Sequence, residues 1–200
     1  MKKVLFALVA VSTGFFAQAQ ESSLGPSVGV NYAWMSDRDN STGRPSFNLG
    51  LTYTHSILQN SGFGVDLRYS EEGTRQEVGG FDLTTKLNYV RVPIKFIYFF
   101  GQIENDFRPK IFAGPTLGVL VGGKSEIRTE TGTIEVDSKD YFESFDAGVN
   151  VGTGFNYRLA EATWLNFGVA YTHGLLNVVK NGPKSSNRNV NVNLGIAWGF

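Results

Sequence analysis

The chain has no cysteine among its 200 residues, which excludes disulfides, thiolate metal sites and lipid attachment through a thiol. Its stability must come from hydrogen bonds and packing. Histidine occurs only twice, as His55 and His173, and no spacing of carboxylates around either suggests a metal set. Helical patterning is missing too: beyond residue 20 no i, i+3, i+4, i+7 series of apolar residues lasts three turns. Charge of one sign is also lacking, since Lys and Arg number 18 and Asp and Glu number 18. A chain without a basic excess carries no footprint for nucleic acid.

What is present begins at the N-terminus. Lys2 and Lys3 precede an apolar run from Val4 to Phe16, interrupted only by Ser12, Thr13 and Gly14, and Ala17-Gln18-Ala19 follows. The run is too short for a membrane helix, which needs roughly 20 apolar residues, but fits the hydrophobic region of an export signal. Residues 1–19 therefore read as a signal peptide cut after Ala19. That leaves 20–200 as one domain, with a net charge of −2 once the two lysines are removed.

The remainder alternates with period two, the mark of strands with one apolar face. Eight such sets follow one another. They begin at Val28, Phe47, Phe63 and Val90, then at Ile111, Phe145, Leu165 and Val190. Segments 35–44, 71–82, 122–140 and 177–187 are long and polar, whereas 58–61, 101–108 and 158–162 are shorter. Strict alternation of long and short connections predicts an all-β, eight-stranded antiparallel up-and-down transmembrane barrel, with short periplasmic turns and long outer loops. Segment 122–140 contains two alternating pieces of its own and could rise as a hairpin. Leu83, Leu87 and Tyr89 are out of phase with Val90 onward, which a bulge or an extension above the lipid would explain.

Aromatic placement favours a membrane barrel over a soluble sandwich. Phe63, Tyr98, Phe100, Phe155, Tyr157 and Trp198 fall at the strand ends expected to face the periplasm, and Trp34, Phe47, Tyr69 and Tyr171 at the opposite ends. Two girdles at the lipid–water boundaries are expected of amphipathic rings. The opposite face is small and polar, rich in Gly and Asn. Asp66, Arg68, Arg91, Lys95 and Asp146 belong to it and are expected to pair inside the barrel, where an unpaired charge is costly.

Chemical motifs are few. Gly118–Ser125 reads GVLVGGKS and matches the phosphate-loop pattern letter for letter. The residues that follow, EIRTETGTIEV, will not make the helix whose N-terminus such a loop needs. A serine-based hydrolase site has no serine beside His173, where only Thr172 is near. No enzymatic activity is expected.

VRVPIKFIYFF (90–100), KIFAGPTLGVLVGGK (110–124), AYTHGLLNV (170–178) and the terminal LGIAWGF (194–200) together resemble the small outer-membrane β-barrel proteins that include PorT-like proteins. The resemblance covers essentially the whole mature chain. It implies outer-membrane lipids as surroundings, insertion by the barrel-assembly machinery and no cofactor. Phe200 resembles the terminal signal that this machinery reads. The long outer loops are the recognition surface expected, in a structural, adhesive or surface-interaction role; the resemblance to PorT-like proteins implies instead a part in protein secretion, and the extracellular or secretion partner is of unknown identity. A soluble lipocalin-like barrel that carries an apolar ligand is the alternative, and it would turn aliphatic side chains inward.

Overall fold

A computed structural model describes residues 22–36, 41–78, 81–102, 104–129 and 132–200; the signal peptide expected at 1–19 lies outside them. Ten strands follow in chain order: β1 (Ser22–Met35), β2 (Ser41–Leu58), β3 (Ser61–Val78), β4 (Phe81–Phe99), β5 (Phe107–Gly122), β6 (Lys124–Thr129), β7 (Gly132–Asp137), β8 (Phe145–Ala160), β9 (Thr163–Gly174) and β10 (Asn187–Gly199). A single 3₁₀ turn, Ser138–Asp140, is the one helical element among the described residues.

Eight strands close a ring. Neighbours in the sequence β1, β2, β3, β4, β5, β8, β9 and β10 pair antiparallel, and β10 returns to β1. The two remaining strands form a hairpin that joins the ring through β6, which pairs with the far half of β4. Connections at one end are brief, at 59–60, 100–106 and 161–162, while at the other the chain is long between β5 and β8 and between β9 and β10, and short only at 36–40 and at 79–80. Ser22, the first described residue, and Phe200 meet at the short-turn end, where Phe200 donates its backbone N–H to the Ser22 carbonyl at 2.9 Å.

Period-two alternation sends apolar side chains outward. Val28 and Val30 are 61% exposed and Phe96 is 66% exposed, with Leu49, Leu67, Val119, Val151 and Leu194 exposed on the same outer surface. Asn31, Asn48, Asp66, Asn150, Asn189, Asn191 and Asn193 are buried in the lumen. A lipocalin-like barrel has the reverse polarity, so that alternative is overturned.

The lumen is not uniformly polar, contrary to the small polar lining expected. Ile97, Phe99, Phe112 and Ala170 cluster toward the short-turn end. Met35, Leu87, Tyr89, Leu120, Phe142, Val178 and Val179 cluster at the other. The second cluster exists because chain from 141–144 and 175–186 folds back over the mouth. There Glu143 N donates to Val178 O at 2.8 Å and Ser185 Oγ to Ser36 O at 2.6 Å.

Two segments read as irregular are strand. The 71–82 loop is instead the top of the β3–β4 hairpin, paired from Glu71↔Asn88 to Val78↔Phe81. At 18 and 19 residues, β3 and β4 are well beyond the roughly 9–11 that a tilted strand needs to cross, so their upper halves stand above the membrane. Strand β4 keeps one phase throughout: Leu87 and Tyr89 point inward like Arg91 and Lys95. The irregularity lies in its pairing with β5, between Asn88 and Tyr89. Leu87 and Tyr89 looked out of phase because they are apolar residues on the inner face.

Gly73, within the raised part of β3, has φ +133°, and a Cβ there would stand 2.0 Å from the Thr85 carbonyl oxygen. Gly73→Ala is expected to cost about 1–3 kcal/mol locally. Limited proteolysis should then cut near 71–88 while the eight-stranded ring keeps its heat-modifiable gel mobility.

Candidate functional site

The lumen gathers the expected charged residues, but into two centres rather than one. In the first, Lys95 Nζ donates to both Asp66 oxygens, at 2.7 and 2.8 Å, and Arg68 Nη2 donates to the same carboxylate. In the second, Arg91 holds Glu72 through two hydrogen bonds of 2.5 and 2.7 Å and Asp146 through one of 2.7 Å. Arg68 and Arg91 are direct cross-strand partners, an arrangement that repels like charges unless each turns to its own carboxylate, as both do. Gly118 makes room for this, since a Cβ there would lie 2.8 Å from Arg91 Nη1.

Around the second centre the polar groups interlock. Asn187 Nδ2 donates to Asp146 Oδ2 at 2.9 Å and to Tyr89 OH at 3.2 Å, and the Arg91 guanidinium sits 4.5 Å from the centre of the Tyr89 ring. Ser70 Oγ donates to Glu72 at 3.0 Å, Asn31 to Ser70 at 3.0 Å, and Asn48 to Asn31 at 2.8 Å. Glu72 was missed because it lies in the segment read as loop. The series Asp66, Arg68, Ser70, Glu72, Thr74 carries the lumen period without a break and could have revealed it. Lys110, also buried, precedes Phe112 and Gly114 on the same inner face of β5.

On the outer surface, Trp34 packs near Tyr171 with ring centres 6.2 Å apart, and Phe47 near Tyr69 at 6.3 Å. Toward the short-turn end Phe63 meets Phe96 at 6.4 Å, Tyr98 meets Phe100 at 5.2 Å, and Phe155 meets both Phe107 and Phe167 at 5.2 Å. Tyr157 and Trp198 are exposed at that end.

Above the ring, the tops of β2, β3 and β4 continue into β6 and β7 as one raised sheet. Register places Arg75, Thr84, Glu126 and Glu135 in one row across it and Glu77, Asp82, Arg128 and Thr133 in the next. These rows lie on the outward face, and with Arg44 and Lys86 most of them line a cleft of about 760 Å³. Ion pairs join Arg44 to Glu71 at 2.5 Å and Lys86 to Glu126. The Lys86 hydrogen bond, aided by the charges of Lys86, Arg44 and Arg128, holds the Glu126 carboxyl below the usual carboxylate range.

Other chemistry is sparse. Ser22 Oγ lies 2.9 Å from His55 Nδ1 and 3.2 Å from Tyr53 OH, a serine–histidine pair that the sequence reading did not find. No carboxylate bonds to His55 among the described residues, so the third member that orients a catalytic histidine is not supplied there. His173 Nδ1 faces Tyr171 OH at 3.1 Å. No group of three metal-ligating side chains occurs among the described residues. The GVLVGGKS segment ends β5 and enters β6, with no helix to receive a phosphate.

A closed antiparallel ring with an apolar, aromatic-banded exterior and a packed polar lumen defines an integral outer-membrane β-barrel protein. The chain belongs to the outer membrane protein β-barrel domain family, whose model matches residues 16–180. Among solved structures it resembles the outer membrane protein OprG from Pseudomonas aeruginosa, with 13% identity over 92% of this chain and 97% of that one and a TM-score of 0.55. It also resembles a major outer membrane protein from Thermus thermophilus, with 10% identity over 90% and 99% and a TM-score of 0.54. At such identities the likeness is one of fold. Among curated proteins no sequence matches the chain.

Arg91→Met strips the cation from two buried carboxylates and is expected to lower stability by about 3–5 kcal/mol, measured as urea unfolding in micelles. Replacing Glu72 and Asp146 by Leu in the same variant should restore most of the loss. In the raised sheet, the lowered Glu126 pKa contributes stability that is complete above its unfolded value and fades as pH falls through the folded one. Protease cutting at β6 should therefore rise below pH 4.5 and lose that dependence in Glu126→Gln.

Proposed function

We propose that the protein is a non-enzymatic surface-interaction protein of the outer membrane, with the raised sheet of β2, β3, β4, β6 and β7 as its recognition element. The observation that carries this reading is the division of the molecule. The lumen is filled by interlocked charges and closed toward each end by an apolar cluster, whereas the outward face of the raised sheet bears a charged cleft of about 760 Å³. A filled eight-stranded barrel has no room for a channel, and mixed-charge surfaces favour specific encounter with polar partners.

A PorT-like part in secretion would call for a partner surface on the periplasmic side, and this barrel offers only brief turns there. That asymmetry favours the outer face. On the same reading the mature chain begins at Gln20 after signal cleavage, sits among outer-membrane lipids and enters them through the barrel-assembly machinery, with Phe200 read as the terminal strand signal. The girdle aromatics anchor the barrel at the two lipid boundaries.

The test replaces residues 125–136 with a short Gly-Ser turn. Outer-membrane recovery and heat-modifiable mobility are expected to be unchanged, while attachment of whole cells to surfaces and to one another falls. Charge reversal in Arg75→Glu with Arg128→Glu should reduce attachment in the same direction. Attachment equal to that of the parent in both variants, with the protein correctly assembled, refutes the adhesive reading.

A further inference from the structure

The lower half of the lumen holds more positive charge than its carboxylates neutralise. Arg68, Lys95 and Lys110 line one small cavity, of about 40 Å³, together with Asn166, Asn191 and Asn193. Asp66 is the one carboxylate that pairs with any of these cations among the described residues, and both its oxygens are taken by Lys95 and Arg68. Lys110 pairs with no carboxylate among them. Its ammonium donates to Asn156 Oδ1 at 2.6 Å and Asn166 Oδ1 at 3.3 Å, which leaves one of three protons unassigned. Arg68 Nε is buried with no acceptor.

The neighbouring centre cannot lend a carboxylate. Glu72 and Asp146 are both fixed on Arg91, with Ser70 and Asn187 as their further hydrogen-bond partners, and neither bonds to Lys110 or Arg68. A buried cation without a counter-ion is costly, and neutral asparagine oxygens solvate an ammonium without cancelling its charge. Phe112 forms an apolar wall beside these groups, with Lys95 Nζ 5.5 Å from its ring centre.

We propose that this cavity binds a small monovalent anion of the halide or nitrate kind, held by the free proton of Lys110 and by Arg68 Nε. Size supports the class: one water needs roughly 10–15 Å³ of such space, so 40 Å³ takes a halide and refuses sugar phosphates or carboxylate-bearing metabolites. Because the site lies within the ring and apart from the raised sheet, it stands whether or not the adhesive reading does.

The experiment follows unfolding of the purified, detergent-folded protein at constant ionic strength while gluconate, too large for the cavity, is replaced stepwise by chloride. A saturable stabilisation is expected, about tenfold in the unfolding equilibrium when chloride reaches ten times its Kd. Lys110→Met, if correctly folded by gel mobility, should lose the chloride response. A second measurement needs no variant: crystals of the wild type in bromide should show an anomalous peak between Lys110 and Arg68. Unfolding that ignores anion identity, or that follows pH alone because Lys110 sheds its proton, overturns the proposal, as does bromide density that avoids the cavity.

Discussion

In hydrocarbon an unpaired amide or carbonyl has no water to turn to, and each such group costs several kcal/mol. A sheet that crosses a membrane can therefore have no edge, and the pairing of β10 with β1 is the contact on which the rest of this molecule depends. Once the ring closes, the two-residue period of a strand separates every crossing segment into a lipid face and a lumen face. The lipid face can be any apolar residue that suits a strand. The lumen face must satisfy itself, because eight strands enclose only enough space for their own side chains.

That requirement explains the interior. Arg91 bridges Glu72 and Asp146, and Asp66 bridges Lys95 and Arg68, so most of the charge carried into the lumen has an opposite charge within hydrogen-bond reach. Glycine at 118 is needed where Arg91 lies against the facing strand. Apolar clusters then close the column of polar groups toward both ends, the outer one built largely from returning loop residues. The lumen is accordingly a core, and the surface proposed for recognition is the part that stands outside the membrane.

Above the lipid the constraint relaxes. The upper parts of β3 and β4 carry charges on their outward faces, where the same positions lower down carry valine, leucine and phenylalanine. Edges are again permitted in water, which is why β7 can end the raised sheet without a further partner strand. The same hairpin that crosses the membrane thus continues as a polar surface element with no change of backbone conformation.

The number of crossing strands, their faces and the end at which the chain turns briefly were all legible in the sequence, because each depends only on the alternation of neighbouring residues. So were Asp66, Arg68, Arg91, Lys95 and Asp146 as lumen residues, since each holds a fixed parity beside apolar neighbours. Glu72 was not, because it lies in a polar stretch that reads as loop, and Lys110 was not, because it precedes Ile111, where the apolar series of its strand begins. The inward Leu87 and Tyr89 misled for a different reason: their apolar character belongs to a cluster completed by Phe142 and Val178, more than fifty residues further on. The sequence by itself determined which face of each strand meets lipid. Only the tertiary structure decided which charges meet, what fills the mouth and how far the strands rise above it, because those depend on contacts between residues far apart in the chain, which no local period records.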